Sequence, residues 1–248
     1  MARYALLGSP VSHSLSPTLM ARLGLDYHAR EMGASGLRSF MNTQANHYSG
    51  LNITTPLKEA IIPFMDGVSS DAREINGVNC AVRRADSWEG HNTDWAGILF
   101  AMDHIGLRPD RALIVGTGPG ARAAAFALQS KGVRFLFLSR RAGPGRITRE
   151  NLAPGILEDH QLIINAAPPG TSLLPPEFLM QHNFVLDMNY GERAGALRVS
   201  LAGSPAAYSD GLLILIGQAA ASLVLWLGGE FGEWADRLIS AARDIGIL

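Results

Sequence analysis

The chain holds one cysteine, Cys80, in 248 residues. No intramolecular disulfide can form, and nothing points to an oxidising compartment. Neither sign of charge is in excess: 21 Lys and Arg stand against 22 Asp and Glu, a formal net charge of −1. A nucleic-acid binder would ordinarily show a basic surplus, so no nucleic-acid partner is expected. There is no internal repeat and no low-complexity segment, and no metal site is expected. Residues 1–8 read as a short buried strand, too brief for the apolar region of a signal peptide and followed by no cleavage site. A cytoplasmic location is therefore expected. Residues 211–229 lack charge altogether, but Gln218, Ser222 and several glycines and alanines dilute their hydrophobicity. A helix buried between layers is expected there, with no membrane partner. What the chain does have is apolar residues, 47% of the total, enough for one large or two modest globular domains.

Strand-like and helix-like patterns alternate through the first hundred residues. Strands are predicted at 4–7, 27–32 and 51–54, and helices at 16–23, 36–46 and 55–64, with Ser16 capping the first of these and Pro17 in its first turn. A hairpin is predicted from 78–83 and 88–91, followed by a helix from Asp94 to Ile105. Beyond it, apolar strands at 112–115, 135–138, 162–166 and 184–187 alternate with helical segments. That alternation implies a parallel sheet covered on both faces. The fold class is α/β, with two α/β domains joined by bridging helices after Asp94 and from about Leu212. An amphipathic surface helix is predicted over 230–243.

Gly116-Thr117-Gly118-Pro119-Gly120-Ala121 fits G-x-G-x-x-A between a strand and a helix, where a dinucleotide-binding turn must sit. Gly116 permits the tight turn, and Gly118 lets a pyrophosphate approach the backbone. The small Ala121 allows close helix–strand packing, the helix N-terminus faces the phosphates, and Gly120 is counted with the cofactor-binding residues of the turn. Pro119 removes one backbone donor from that turn. An ordinary glycine-rich turn is the alternative. A site for the unphosphorylated dinucleotide places a carboxylate about 20 residues on. Here Ser139-Arg140-Arg141 occupies that place, with no carboxylate before Glu150. A guanidinium pairs with a 2′-phosphate, so the expected cofactor is NADP. The alternative is a solvated pair of arginines.

Three polar clusters sit beyond predicted strand ends, where α/β folds place ligands: Ser12-His13-Ser14-Leu15-Ser16-Pro17, Asn52-Ile53-Thr54-Thr55-Pro56-Leu57-Lys58 and Asn92-Thr93-Asp94. Taken singly, Ser16 reads as a cap, Lys58 as a surface lysine and Asp94 as an N-cap. Taken together, they resemble the shikimate dehydrogenase family. Gly8-Ser9-Pro10 with 13–17 is similar to its opening signature, and 52–58 to its lysine motif. Gly77-Val78-Asn79 and Asn92-Thr93-Asp94 match two further motifs. Asn165-Ala166-Ala167 is similar to its cofactor-side strand, and Asp210-Gly211 through Gln218-Ala219-Ala220 to its closing helix. The matches run in family order along nearly the whole chain.

The resemblance implies an N-terminal substrate domain (1–95 plus about 228–248) and a Rossmann-type NADP-binding domain with the bridging helices (96–227). It implies reversible hydride transfer between NADPH and 3-dehydroshikimate, a small-molecule substrate handled by a monomer or homodimer. Ser14, Ser16 and Thr54 would hold the substrate carboxylate, with Tyr190 closing on it. Lys58, Asn79, Asp94 and Gln218 would grip ring hydroxyls, and Asn165, Ala166, Met188 and Gly211 would line the cofactor. Reducing a ketone also requires a proton beside the hydride. Lys58 is the natural donor and Asp94 its orienting partner, the shared proton belonging to the pair. Tyr190 and Gln218 are expected to face a closing cleft. Several residues depart from the family pattern: Cys80 follows Asn79, Trp95 replaces a glycine after Asp94, Pro119 replaces a common glycine, Met20 replaces a common histidine and Asn189 precedes Tyr190. They leave open a paralogue acting on quinate or an aminoshikimate, and a ligand-binding regulator with little turnover.

Overall fold

A computed structural model describes residues 2–171 and 174–248; Met1, at the head of the first expected strand, lies outside them. The chain forms two units, 1–97 with 215–248, and 98–214.

In the first unit the elements run β1 (Arg3–Gly8), α1 (Ser16–Arg22), β2 (Asp26–Glu31), α2 (Ala34–Thr43), β3 (Gly50–Ile53), α3 (Leu57–Ala60), β4 (Gly67–Val68), α4 (Ser70–Ile75), β5 (Cys80–Arg84) and β6 (Ser87–His91). The strands form a six-stranded mixed sheet of order β2-β1-β3-β5-β6-β4. β1 runs parallel to both β2 and β3, while β5 pairs antiparallel with β3 and β6. Ala5, Leu7, Leu37, Phe40, Leu51, Ile53 and Trp88 build the core. The helix expected over 55–64 is broken: α3 ends at Ala60 and a 3-10 turn, Ile62–Phe64, follows. Pro63 explains the break, since it has no N–H to continue an α-helical ladder. Ser16 does not cap α1. Leu15 holds that position with no side-chain cap, and Ser14 Oγ instead accepts the Ser16 N–H at 3.3 Å.

α5 (Asp94–Ile105) leads into the second unit, which contains β7 (Arg111–Val115), α6 (Pro119–Ser130), β8 (Arg134–Leu138), β9 (Arg146–Ile147), α7 (Pro154–Glu158), β10 (Leu162–Asn165), β11 (Phe184–Asp187), α8 (Gly195–Ser200) and β12 (Ala207–Ser209). Its six strands are all parallel, in the order β12-β11-β10-β7-β8-β9. This is the doubly wound Rossmann arrangement, and its topological switch point falls between β7 and β10. Residues 112–115 of β7 and 162–164 of β10 are buried on both faces, which is why they read as continuous apolar runs.

α9 (Leu212–Leu227) and α10 (Phe231–Asp244) complete the chain. The sequence expectation placed 215–227 with the dinucleotide domain, but these residues belong to the first unit. The reason is packing. Ser222 accepts a hydrogen bond from Asn52 Nδ2, and Trp226 stacks on Tyr4 with ring centroids 4.7 Å apart. Trp226 Nε1 also donates to Ala81 O at 3.1 Å, and it stands 2.4 Å from where a Cβ on Gly50 would lie. Only a glycine at 50 lets the indole sit there. α9 is mostly buried, and among the described residues no helix is long and apolar enough to cross a membrane. α10 buries Ala235, Leu238, Ile239 and Ala242 on one stripe and packs against α1.

Candidate active site

In the first unit a lysine and an aspartate, 36 positions apart, meet. Lys58 lies on α3, just after the loop that leaves β3, and Asp94 opens α5 after β6. Lys58 Nζ donates to Asp94 Oδ2 at 2.6 Å, with the side chains only 15% and 9% exposed. The Lys58 carbonyl is itself held, accepting the Val78 N–H at 2.8 Å.

The second oxygen of Asp94 is also occupied. Asn79 Nδ2 donates to Asp94 Oδ1 at 2.7 Å and to Thr93 Oγ1 at 3.0 Å, while Asn79 Oδ1 accepts the Thr93 N–H at 2.6 Å. An amide has two donor hydrogens, so those of Asn79 are both committed and the orientation of its side chain is set. Asn92 Oδ1 accepts the Asp94 N–H at 3.0 Å, and Asn92 Nδ2 donates to Gly77 O at 2.7 Å.

Behind this layer a buried polar chain reaches α9. Ser222 Oγ donates to Gln218 O at 2.9 Å and stands 3.3 Å from Thr93 Oγ1. Asn52 Nδ2 donates to Ser222 Oγ at 3.0 Å, and Asn52 Oδ1 accepts from the Tyr27 hydroxyl at 2.8 Å. Such networks hold one geometry when every member is satisfied. Gln218 Nε2 donates to Leu215 O at 3.1 Å.

The loops after β1 and β3 lie side by side. Ser9 N–H donates to Thr55 O at 2.9 Å, and Thr54 N–H to Leu7 O at 2.8 Å. A Cβ on Gly8 would stand 2.3 Å from Thr54 Cγ2, so only glycine lets Thr54 come this close. Ser14 and Thr54 are half-buried, and Ser16 is buried. Trp95 Nε1 donates to Asp71 Oδ2 at 2.8 Å, tying α5 to α4. The Trp95 ring is half-buried.

The second unit carries the glycine turn at the β7 end of the switch point. Gly116 has φ +108°, a conformation that favours glycine, and a Cβ there would stand 3.2 Å from Ala166 O. Gly118 is exposed, with open space where a Cβ would go. Pro119 is the first residue of α6, where its missing N–H would have had no intrahelical partner in any case. Ala121 is fully buried. A Cβ on Gly120 would stand 3.4 Å from Met188 Cε. At the end of β8, Ser139 Oγ donates to Arg141 O at 2.6 Å. Arg140 and Arg141 are exposed, and neither has an ion-pair partner among the described residues. Asn165 is buried, whereas Ala166, Met188 and Tyr190 are half-buried. The Gly211 N–H donates to Asn189 O at 2.8 Å. The residues present fit a dinucleotide: an open glycine turn, a helix N-terminus and two exposed guanidinium groups after the next strand. No group of three or more His, Cys, Asp or Glu able to hold a metal ion occurs among the described residues.

Residues 6–81 match the family model described as the shikimate dehydrogenase substrate binding domain. A protein of Aeropyrum pernix named shikimate dehydrogenase (NADP(+)) is 35% identical, with 93% of each chain covered. The chain belongs to the shikimate dehydrogenase family. A relative of the same name from Xanthomonas campestris is 33% identical, covering 92% of this chain and 91% of its own. Among solved structures, shikimate 5-dehydrogenase of Thermus thermophilus in complex with NADP(H) and shikimate matches with a TM-score of 0.80 at 28% identity, covering 97% of this chain and all of the other. The Aquifex aeolicus shikimate dehydrogenase matches with a TM-score of 0.82 at 27% identity, covering 96% and 97%.

Set against the family pattern, Lys58, Asn79 and Asp94 come together in the first unit, which also holds Ser14, Ser16, Thr54 and Gln218. Tyr190 lies in the second unit with the glycine turn. The supporting groups Asn52, Asn92, Thr93 and Ser222 were given no individual role from the sequence. The signal for Ser222 was present: a serine one helical turn after Gln218 on an apolar helix needs a polar partner wherever it is buried.

Proposed function

We propose that the chain is an NADP-dependent shikimate dehydrogenase that interconverts 3-dehydroshikimate and shikimate. The observation that carries the reading is the Lys58–Asp94 pair, 2.6 Å apart and largely shielded, in a family whose relatives are named for this reaction. Ligand binding alone needs no shielded proton donor; reduction of a ketone does.

Bound NADPH supplies the hydride. Lys58 delivers the proton to the carbonyl oxygen that becomes the C3 hydroxyl, and takes it back in the reverse direction. Asp94 balances the ammonium charge and aims Nζ through Oδ2, while Asn79 restrains Oδ1. Because the donors on Asn79 are committed to Asp94 and Thr93, its contribution to the ring hydroxyls runs through Asp94. Ser14, Ser16 and Thr54 offer uncharged hydroxyls to the substrate carboxylate, and Gln218 addresses a ring hydroxyl. The unit 1–97 with 215–248 is the substrate domain, and 98–214 the cofactor domain. Gly116, Gly118 and Gly120 receive the pyrophosphate while the buried Ala121 lets α6 pack close behind them, Ser139, Arg140 and Arg141 take the 2′-phosphate, and Asn165, Ala166, Met188 and Gly211 the remainder of the cofactor.

A panel of shikimate, quinate and an aminoshikimate, each with NADP and NAD, tests this through the absorbance of the reduced cofactor. Shikimate with NADP should give the highest kcat/KM. Tight binding without turnover would instead support a regulator.

A further inference from the structure

Asp187 ends β11 and is fully buried, yet the chemistry above gives it no task. Its partners are amides and a phenol. Oδ1 accepts from Asn165 Nδ2 at 2.9 Å, from the Asn189 N–H at 3.0 Å and from Asn189 Nδ2 at 2.9 Å; Oδ2 accepts from the Tyr208 hydroxyl at 3.4 Å. Burial pushes this carboxyl above the usual carboxylate range, against the opposing pull of those hydrogen bonds. A buried carboxyl with no paired cation among the described residues is costly to keep, so its position calls for an account.

Both asparagines that donate to Asp187 also hold the loop after β10. Asn165 Oδ1 accepts the Ala167 N–H at 3.3 Å, and Asn189 Nδ2 donates to Ala167 O at 3.1 Å. The carboxyl therefore adds a side-chain clamp between segments 165–167 and 187–189, which the Met188 N–H to Asn165 O bond at 2.9 Å also joins. These segments wall the glycine turn: Ala166 O is 3.2 Å from the Cβ position of Gly116, and Met188 Cε is 3.4 Å from that of Gly120. Gly211 closes the same wall, since a Cβ there would stand 2.6 Å from Met188 O.

We propose that Asp187 is a positioning residue for the dinucleotide site, clamping the loops after β10 and β11 so that Ala166 and Met188 face the glycine turn at a set distance. The inference rests on the NADP reading above. Asparagine at 187 keeps an acceptor for the three Oδ1 bonds and can donate to the Tyr208 oxygen. Alanine leaves those donors without an acceptor, so only the Met188 N–H to Asn165 O bond at 2.9 Å and the Asn189 Nδ2 to Ala167 O bond at 3.1 Å still tie the two loops, and the orientation of both asparagines is released.

The test is NADPH affinity, measured by fluorescence titration without substrate, together with the thermal unfolding temperature, for the parent, Asp187→Asn, Asp187→Ala and Asn189→Ala. Displacing a binding wall by a fraction of an ångström should raise the NADPH Kd about tenfold in the two alanine variants. Asp187→Asn should stay within about threefold of the parent. Alanine variants that melt earlier yet bind NADPH within about twofold of the parent would reduce Asp187 to a structural role and overturn the proposal. Asn189→Ala decides the matter if Asp187→Ala fails to fold, because it cuts the Ala167 link at a half-buried site. Failure of the parent chain itself to bind NADPH would overturn the cofactor reading, and this inference with it.

Discussion

Lys58→Met keeps most of the aliphatic stem and deletes the ammonium group whose Nζ stands 2.6 Å from Asp94 Oδ2. Two effects follow, and their sizes differ. Losing a positioned proton donor costs about 10²–10⁴-fold in rate, equivalent to roughly 2.7–5.4 kcal/mol of barrier. The ground state loses less. Removing one partner of a fully buried ion pair costs about 3–5 kcal/mol, but Asp94 retains the Asn79 Nδ2 bond at 2.7 Å and 9% exposure. About 1–3 kcal/mol of stability is therefore expected to go. At this chain length that lowers Tm by about 2–4 °C per kcal/mol. Steady-state shikimate oxidation with NADP, followed at the NADPH absorbance band well below the variant's Tm, separates the two effects. kcat should fall by about 10²–10⁴-fold with only a small rise in the shikimate KM. A folded Lys58→Met enzyme with kcat within about threefold of the parent would remove Lys58 from proton transfer.

Four further outcomes are expected. Arg140→Asp should narrow or reverse the NADP preference, because a charge-assisted bond to a 2′-phosphate is worth about 1.5–3 kcal/mol, or roughly 10–150-fold; equal kcat/KM for NADP and NAD in the parent would show that the guanidinium groups are merely solvated. Shikimate should exceed quinate by about 5–150-fold in kcat/KM, since quinate's extra hydroxyl beside Ser14 and Ser16 would be buried without a partner, and a quinate value at or above shikimate's would shift attention to Trp95 and its bond to Asp71. Cys80 is fully buried and its thiol is pushed up to about 12, so a thiol reagent at neutral pH should label it only on unfolding, and rapid labelling of the native protein would contradict this packing. Burial lowers the pKa of His91 below its usual value; the folded state then binds fewer protons than the unfolded state, so this contribution to stability is present above about pH 6.5 and is lost as pH falls below it. His91→Gln should flatten that part of the stability–pH curve.

Much of this molecule is legible in its sequence because local rules suffice. The runs 112–115 and 184–186 are apolar throughout, as strands buried on both faces must be. The glycine turn at 116–121 declares itself by lying between a strand and a helix. Lys58 and Asp94 were identifiable as partners through the motifs around them. Short elements such as β4, α4 and β12 escaped, since two to six residues carry too little periodicity to register.

What tertiary structure alone decided concerns buried polar groups. Ser222 read as a residue diluting an apolar helix; only folding puts its hydroxyl between Asn52 and Thr93, residues 170 and 129 positions away. Asn79 read as a substrate contact, yet its donors prove to be spent on Asp94 and Thr93. Asp187 looked like a strand end, and only the parallel pairing of β10 with β11 brings Asn165 to its side. Periodicity reports which face of an element is apolar, because that pattern repeats along the chain. A single polar side chain repeats nothing, and which distant donor meets it is set by strand order and helix packing.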